Sequence, residues 1–224
     1  AALPDVRILA LPTNRGYAGG INAGVRSALD DGADWTLLVN NDARLGDGAL
    51  AALLAGADCP RVGMLTPTIR FLDAPDRVWP SAGWRRRLTL AAFDTTADPP
   101  THAPYDVDWA TGCCLLVRAA LWREVGLFDE RYRFYYEDHD LCLRARAAGW
   151  RIRHVPAAGA LHRVASSTGA GSPAQAYLLA RGSVRYYLAH TRGLHRAFIV
   201  AYRLGSLART LLSAVRSGRP ATGR

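Results

Sequence analysis

Lysine is missing from this 224-residue chain, so all 28 basic side chains are arginine. That bias carries no mechanism by itself. It does leave no G-K-[ST], and therefore no Walker A phosphate loop. Acids are missing from the last quarter. Residues up to Pro173 hold 19 arginines and all 19 acids, whereas Ala174 to Arg224 hold nine arginines and none. The net charge of +9 therefore belongs to the C-terminal segment and not to the formally neutral body. A neutral body without a recognition motif argues against nucleic acid as a partner. Cysteine is scarce: Cys59, Cys113, Cys114 and Cys142 form no C-x-x-C pair. That is a poor zinc or disulfide framework and fits reduced, mostly buried thiols in a cytoplasmic protein. No apolar run approaches the ~18–20 residues that cross a bilayer. The opening "AALPDVRILALP" lacks the basic n-region of a signal peptide. No internal repeat is present.

What is there is globular. Half the residues are hydrophobic, with six tryptophans and nine tyrosines, enough for one domain, or one domain with an appendage. "VRILAL" (Val6 to Leu11) reads as a buried strand, and a helical pattern then runs to about Asp31. "WTLLVNND" (Trp35 to Asp42) reads as a second buried strand, followed by a helix near Asp47 to Gly56 and a strand through "RVGMLTPTIRF". This alternation predicts an α/β fold on a parallel sheet. Leu72 to Tyr105, rich in proline, reads as an excursion of hairpin and mobile loop. A strand and short helix return in "VDWATGCCLLVRAALWREVG". A helix starts near Glu137 and stops at Gly149. "RIRHVP" is a short strand, "ALHRVASSTGAG" a loop, and from Pro173 the chain is helical.

Four constellations carry chemistry. In "TNRGYAGGINAG", between strand and helix, Gly16, Gly19 and Gly20 allow close backbone approach at a helix N-terminus, which favours a phosphate; a ligand-free turn is the plain alternative. Asn40, Asn41 and Asp42 end an apolar strand, where open α/β sheets bind ligands. An Asp there is either a hard-cation ligand or the cap of an Asx turn. Glu137, Asp138 and Asp140 crowd a helix start after Phe134, Tyr135 and Tyr136. The dipole and Arg144 or Arg146 account for one or two of these acids as caps. The aromatics point to a partly desolvated pocket in which one carboxylate has a raised pKa and acts as a base. His162, taken alone, is better explained by structure than by ligation; its weight comes from the company it keeps.

The pieces "NRGYAGGINAGV", "LLVNNDA", "TGCCLLVRAALWREVGLFDERYRFYYEDHDLCLRARAAGW" and "LHRVASS" together resemble the family 2 glycosyltransferases of the GT-A fold, in the bacterial rhamnosyltransferase-like branch. With the strands between them they cover most of Val6 to Ser167. The resemblance implies a GT-A domain with a mostly parallel central sheet and flanking helices over residues 1–172; beyond it, apolar and arginine positions interleaved at helical spacing predict a basic amphipathic helical tail over 173–218, and "GRPATGR" a disordered C-terminus over 219–224. It implies Asp138 as catalytic base, with Glu137, Asp140, Thr111, Gly112 and Trp109 as acceptor contacts or support. Asn14, Arg15, Gly16, Gly19, Gly20, Asn22, Asn40 and Asn41 fall on the nucleotide-sugar side. Asp42 and His162 would hold a divalent cation, Mg²⁺ or Mn²⁺. The implied reaction is a single inverting displacement from a dTDP- or UDP-sugar donor to a cell-envelope glycan or lipid-linked acceptor.

One departure stands out. The family's first strand, helix and V-D-N-x-S-x-D segment are not in this sequence, and the chain starts at Ala1 without Met, so a preceding segment is expected. The alternative is a catalytically incomplete fragment that binds a membrane or a partner. The acid-free, arginine-bearing tail fits an anionic membrane surface, which implies a peripheral position at the inner face of the plasma membrane. Its plain alternative is a helical pair packed on the domain with a solvated basic face.

Overall fold

The computed structural model describes residues 6–97, 99–163 and 172–217, with 207–217 described by backbone alone. Val164 to Ser167 of the last motif and the tail end 219–224 lie outside the described residues.

A seven-stranded sheet forms the centre. Its path runs β1 (Trp35–Val39), β9 (Cys114–Arg118), β3 (Val62–Phe71), β10 (Arg151–His162), β2 (Ala43–Leu45). β4 (Ala74–Val78) joins β3, and β7 (Tyr105–Val107) joins β10. β9 is apolar on both faces, and Cys114 to Val117 are all buried between layers. At the β1 end, Trp35 pairs with Arg118, whose guanidinium lies 4.2 Å over the indole. α1 (Gly16–Asp30), α3 (Ala119–Val125) and α4 (Glu137–Ala147) bury Val25, Trp122 and Leu141 in one core cluster. α2 (Ala49–Ala55) closes a second cluster through Leu53 against Leu65 and Val155. Each such side chain contributes about 1.5–3 kcal/mol.

The fold class is α/β, as the sequence implies, but the sheet is mixed rather than mostly parallel. Among the described pairings only β3 with β10 is parallel. β9 enters antiparallel between β1 and β3, a direction that alternation of strands and helices cannot reveal. Three further expectations change. Val6 to Leu11 forms no strand and is exposed, with Ile8 85% accessible. An apolar run becomes a strand only where a neighbour takes its hydrogen bonds, and here the segment is tied by the Arg7 side chain to Ser27 of α1 and to Asp31 just past its C-terminus. The proline-rich excursion is built: β5 (Ala82–Arg85) pairs with β6 (Ala92–Asp94) and β8 (Trp109–Ala110) in a second, three-stranded sheet. Finally, β10 does not stop at Pro156. The register against β3 jumps from Val155 to Gly159, so the strand bulges past a residue that lacks an N–H and resumes to His162.

Two long helices follow. Ser172 caps α5 (Pro173–His190) by accepting from the Gln175 amide at 3.1 Å, with Pro173 in the first turn. α6 is Gly193–Ser217. α5 is not loosely attached. A Cβ on Gly182 would stand 2.8 Å from the Tyr135 carbonyl oxygen, so glycine lets the helix press onto the loop before α4.

Candidate active site

A cleft of about 690 Å³ opens where the ends of β1 and β10, the start of α1, the turn before β9 and the start of α4 converge. Its lining includes Gly16, Gly20, Asn40, Asn41, Asp42, Trp109, Thr111, Gly112, Glu137, Asp138 and His162, eleven of the residues singled out from sequence.

The glycine turn contributes its shape first. Gly16 has φ +73°, and a Cβ there would sit 2.6 Å from the Arg133 carbonyl oxygen, which accepts from the Tyr17 amide. Only glycine allows this junction of α1 with the 129–136 loop. Gly20 meets nothing within 4 Å, which leaves that wall of the cleft open.

The other candidates from this segment work behind the cleft. Asn22 is buried. Its amide donates to the Phe128 carbonyl (2.9 Å) and to Glu130 (3.1 Å), and its oxygen accepts from the Phe128 amide (3.0 Å). Its assignment to the nucleotide is therefore corrected: the side chain is spent on holding α1 to the loop. Arg15 pairs with Glu130 at 2.5 Å, and Asn14 caps the turn by accepting from the Gly16 amide. Gly19 packs against Arg15 and Glu130. None of the four lines the cleft.

Asp42 and His162, far apart in sequence, touch. β2 and β10 pair with His162 opposite Ala43, and the Arg163 amide donates to the Asp42 carbonyl at 2.9 Å. This register brings His162 Nε2 to 3.2 Å from Asp42 Oδ1, with Trp79 edge-on to the imidazole. Burial pushes the His162 pKa down against the opposing pull of Asp42, so the ring is neutral and able to ligate. The separation fits two donors at right angles around an ion with bonds of about 2.1 Å, which would stand ~3.0 Å apart. Among the described residues no cluster of three ligating side chains exists. The pair therefore suits a cation that takes its remaining ligands from phosphate oxygens and water, the habit of Mg²⁺. Beside it, Asn40 Oδ1 is buried without a protein partner.

The three acids of α4 meet three environments. Asp138 faces the cleft and accepts from the Gly112 amide (3.2 Å) and the His139 amide (2.7 Å). Glu137 is 5% exposed, and its Oε2 has no partner. Burial, and then the charge of Asp138, push its pKa well above the usual carboxylate range. Asp140 does not reach the cleft. It accepts from Arg144 (2.8 Å), His190 of α5 (2.8 Å) and the Tyr132 hydroxyl (3.4 Å). Burial raises its pKa, but His190 and Arg144 outweigh that and hold it below the usual range. The backbone leading in is strained: Arg133, Tyr135 and Tyr136 have φ of 57°, 65° and 73°. Left-handed backbone costs about 1–2 kcal/mol at each such residue, and it clusters where a loop must aim side chains.

Several cleft residues escaped the sequence reading. Tyr17 closes the floor, donating to the Gly112 carbonyl at 2.8 Å; an aromatic between the motif's glycines was its only signal. His139 sits among the acids, its ring tilted against Trp109 with centroids 5.0 Å apart. Burial, with Arg85 acting the same way, lowers its pKa. Arg85 Nη2 lies 3.1 Å from its Nδ1, and a guanidinium can only donate, so Nδ1 accepts. Trp79 comes from the proline-rich excursion and Gln175 and Leu179 from α5; no local motif marks them.

Known proteins resemble this chain in sequence and fold. An N-acetylglucosaminyl-diphospho-decaprenol L-rhamnosyltransferase of Mycobacterium tuberculosis is 37% identical over 192 residues, covering 74% of this chain and 61% of its own length. The rhamnosyltransferase WbbL of Escherichia coli is 48% identical over a 56-residue stretch, 25% of this chain and 21% of its own. The chain thus spans less than two thirds of the length of these relatives. The crystal structure of GalNAc-T7 with UDP, GalNAc and Mn²⁺ superposes with a TM-score of 0.65 at 14% identity, covering 88% of this chain and 39% of that one, which supports the GT-A fold. A family model described as glycosyltransferase like family 2 matches residues 1–181, from the first strand-like segment into α5. On that match the chain belongs to the family 2 glycosyltransferases.

Proposed function

We propose that the chain is the catalytic part of an inverting glycosyltransferase. It would move a sugar, rhamnose or another hexose, from a dTDP- or UDP-linked donor to a lipid-linked or cell-envelope glycan acceptor. One observation carries this reading: the Asp42–His162 pair and Asp138 face the same cleft. The M. tuberculosis relative's name supplies the acceptor class.

Asp138 takes the proton of the acceptor hydroxyl. That oxygen forms its bond to the anomeric carbon while the bond from that carbon to the diphosphate breaks, and the electron pair leaves with the phosphate. Two backbone N–H donors orient Asp138 without neutralising it. Thr111, Gly112 and Trp109 wall the sugar side. Asp42 and His162 would hold a divalent cation, which would neutralise the charge that develops on the diphosphate. Asn40 and Asn41 line the same cleft. Asp138→Asn removes the base at constant shape and should lower transfer by about 10²–10⁴-fold, with the circular dichroism spectrum unchanged. Turnover equal to wild type would remove Asp138 from this role.

A second reading concerns the outer face of α5 and α6. Tyr177, Val184 and Leu188 are exposed beside Arg131, Arg181 and Arg185 around a shallow groove, and Leu194 and Leu204 continue the apolar exposure on α6. No helix among the described residues is long and apolar enough to cross a membrane. A face of this composition lies on an anionic lipid surface by joining apolar burial to charge attraction. Co-sedimentation with phosphatidylglycerol vesicles should fall for Arg181→Ala/Arg185→Ala and at high salt. Vesicle binding indifferent to both would refute it.

A further inference from the structure

Glu137 is the one acid of the cleft whose arrangement the base-and-cation reading does not use. It opens α4 and lines the cleft, yet it is 5% exposed and its Oε2 has no hydrogen-bond donor. An ionised carboxylate in that position would leave a charged oxygen uncompensated in a desolvated wall, beside the carboxylate of Asp138 in the next residue. Uncompensated burial of charge costs several kcal/mol. A carboxylic acid in the same place carries no charge to compensate, and Glu137 is part of the cleft lining.

The groups around it agree. On α4, Asp138 adds negative charge, which opposes ionisation of Glu137. From α1, the Tyr17 phenol faces both acids and is held neutral by burial. Before and at the start of β9, burial pushes the Cys113 and Cys114 thiols up, so they stay uncharged. Arg85 is directed at His139 and the Asp108 carbonyl. Its own backbone amide and the N-terminus of α4 favour the charged form, and burial outweighs them.

We propose that Glu137 acts as a neutral carboxylic acid that donates a hydrogen bond to a hydroxyl oxygen of the sugar bound in the cleft, leaving Asp138 as the only carboxylate base. No proton is transferred from Glu137. Its O–H fixes the sugar while Asp138 takes the acceptor's proton, so adjacent acids serve as donor and base because burial separates their protonation states. This rests on the glycosyl-transfer reading, and the tests separate the two.

Infrared difference spectroscopy of the substrate-free protein, wild type minus Glu137→Gln at neutral pH, should show the carbonyl stretch of a protonated carboxyl. If that band is absent, Glu137 is ionised and the proposal is wrong, whatever the enzyme does. In transfer assays Glu137→Ala should lose about 10–100-fold in kcat with little change in donor KM, as expected when a hydrogen bond made at the reacting sugar is lost. Glu137→Gln, which keeps a donor of similar shape, should recover most of that loss. The wild type should also lose activity towards high pH as Glu137 ionises, and that limb should be missing in Glu137→Gln. Gln as damaging as Ala, with both variants folded, would show that the charge is required and would overturn the donor role. A wild type that shows the infrared band but transfers no sugar overturns the glycosyl-transfer reading, and the donor role with it.

Discussion

Glu137 and Asp140 sit one turn apart on α4 and live in opposite surroundings, whereas Asp42 and His162 come from opposite ends of the body and share one. Glu137 is walled by the cleft with an oxygen that nothing meets. Asp140 is held by Arg144, His190 and Tyr132. Asp42 and His162 face each other at 3.2 Å because a bulged strand carries the histidine to the right register. Nearness in sequence therefore predicts little about the job of an acid. What decides is which element covers it. α5 covers the Asp140 side, through His190, and leaves Glu137 turned to the cavity.

The largest effect should come from breaking the covered acid. Asp140→Asn removes the charge that Arg144 and His190 bond to and leaves a cation half-compensated under α5. Loss of one partner of a buried pair costs about 3–5 kcal/mol, so urea midpoints should fall sharply at neutral pH. The sign with pH follows from the direction of the shift. Asp140 is held below its ordinary value of 3.8, so its stabilisation is present in full above that value and is lost as pH falls from there through the lowered value of the folded protein. Wild type and Asp140→Asn should converge in acid. A constant gap down to low pH would mean that Asp140 matters for shape and not for charge.

Next comes the pair formed across the sequence. Asp42→Ala and His162→Ala should each weaken Mn²⁺-dependent binding of UDP or dTDP at least about tenfold by calorimetry. The double variant should be little worse than either single, because each change empties a shared site. Additive losses would indicate that the two residues act separately and that their contact is only an ion pair.

These contrasts also mark how far the sequence could be read. The helices from Gly16 and Glu137 were legible from periodicity, and the run through Trp150 carried the family. Pro156 was not: it reads as the end of a strand, but the chain bulges there and continues, and without that continuation His162 has no reason to meet Asp42. Asn22 was misread because a motif position does not say which way a side chain points. Gln175, Leu179 and Trp79 were invisible because their place in the cleft depends on how α5 and the second sheet dock, which is a tertiary fact. The acids of α4 were visible as a cluster, but their division of labour follows from burial, which no spacing encodes.

The smallest effect concerns Glu137 in the absence of any ligand, and it should run opposite to that of Asp140. Its pKa is raised above the ordinary 4.5 by burial and by Asp138. The folded protein therefore binds this proton more tightly than the unfolded chain, and its contribution to stability declines as pH rises past that value until the folded group ionises. Glutamine has no proton to lose. The stability of Glu137→Gln relative to wild type should thus climb with pH, with a slope of at most about 1.4 kcal/mol per pH unit for one proton. Urea unfolding of both proteins from about pH 5 to about pH 8 measures it. A flat difference would place Glu137 among ordinary ionised acids and erase its contrast with Asp140; a rising one, beside the acid-side convergence of Asp140→Asn, would show one helical turn holding two carboxyls in opposite states.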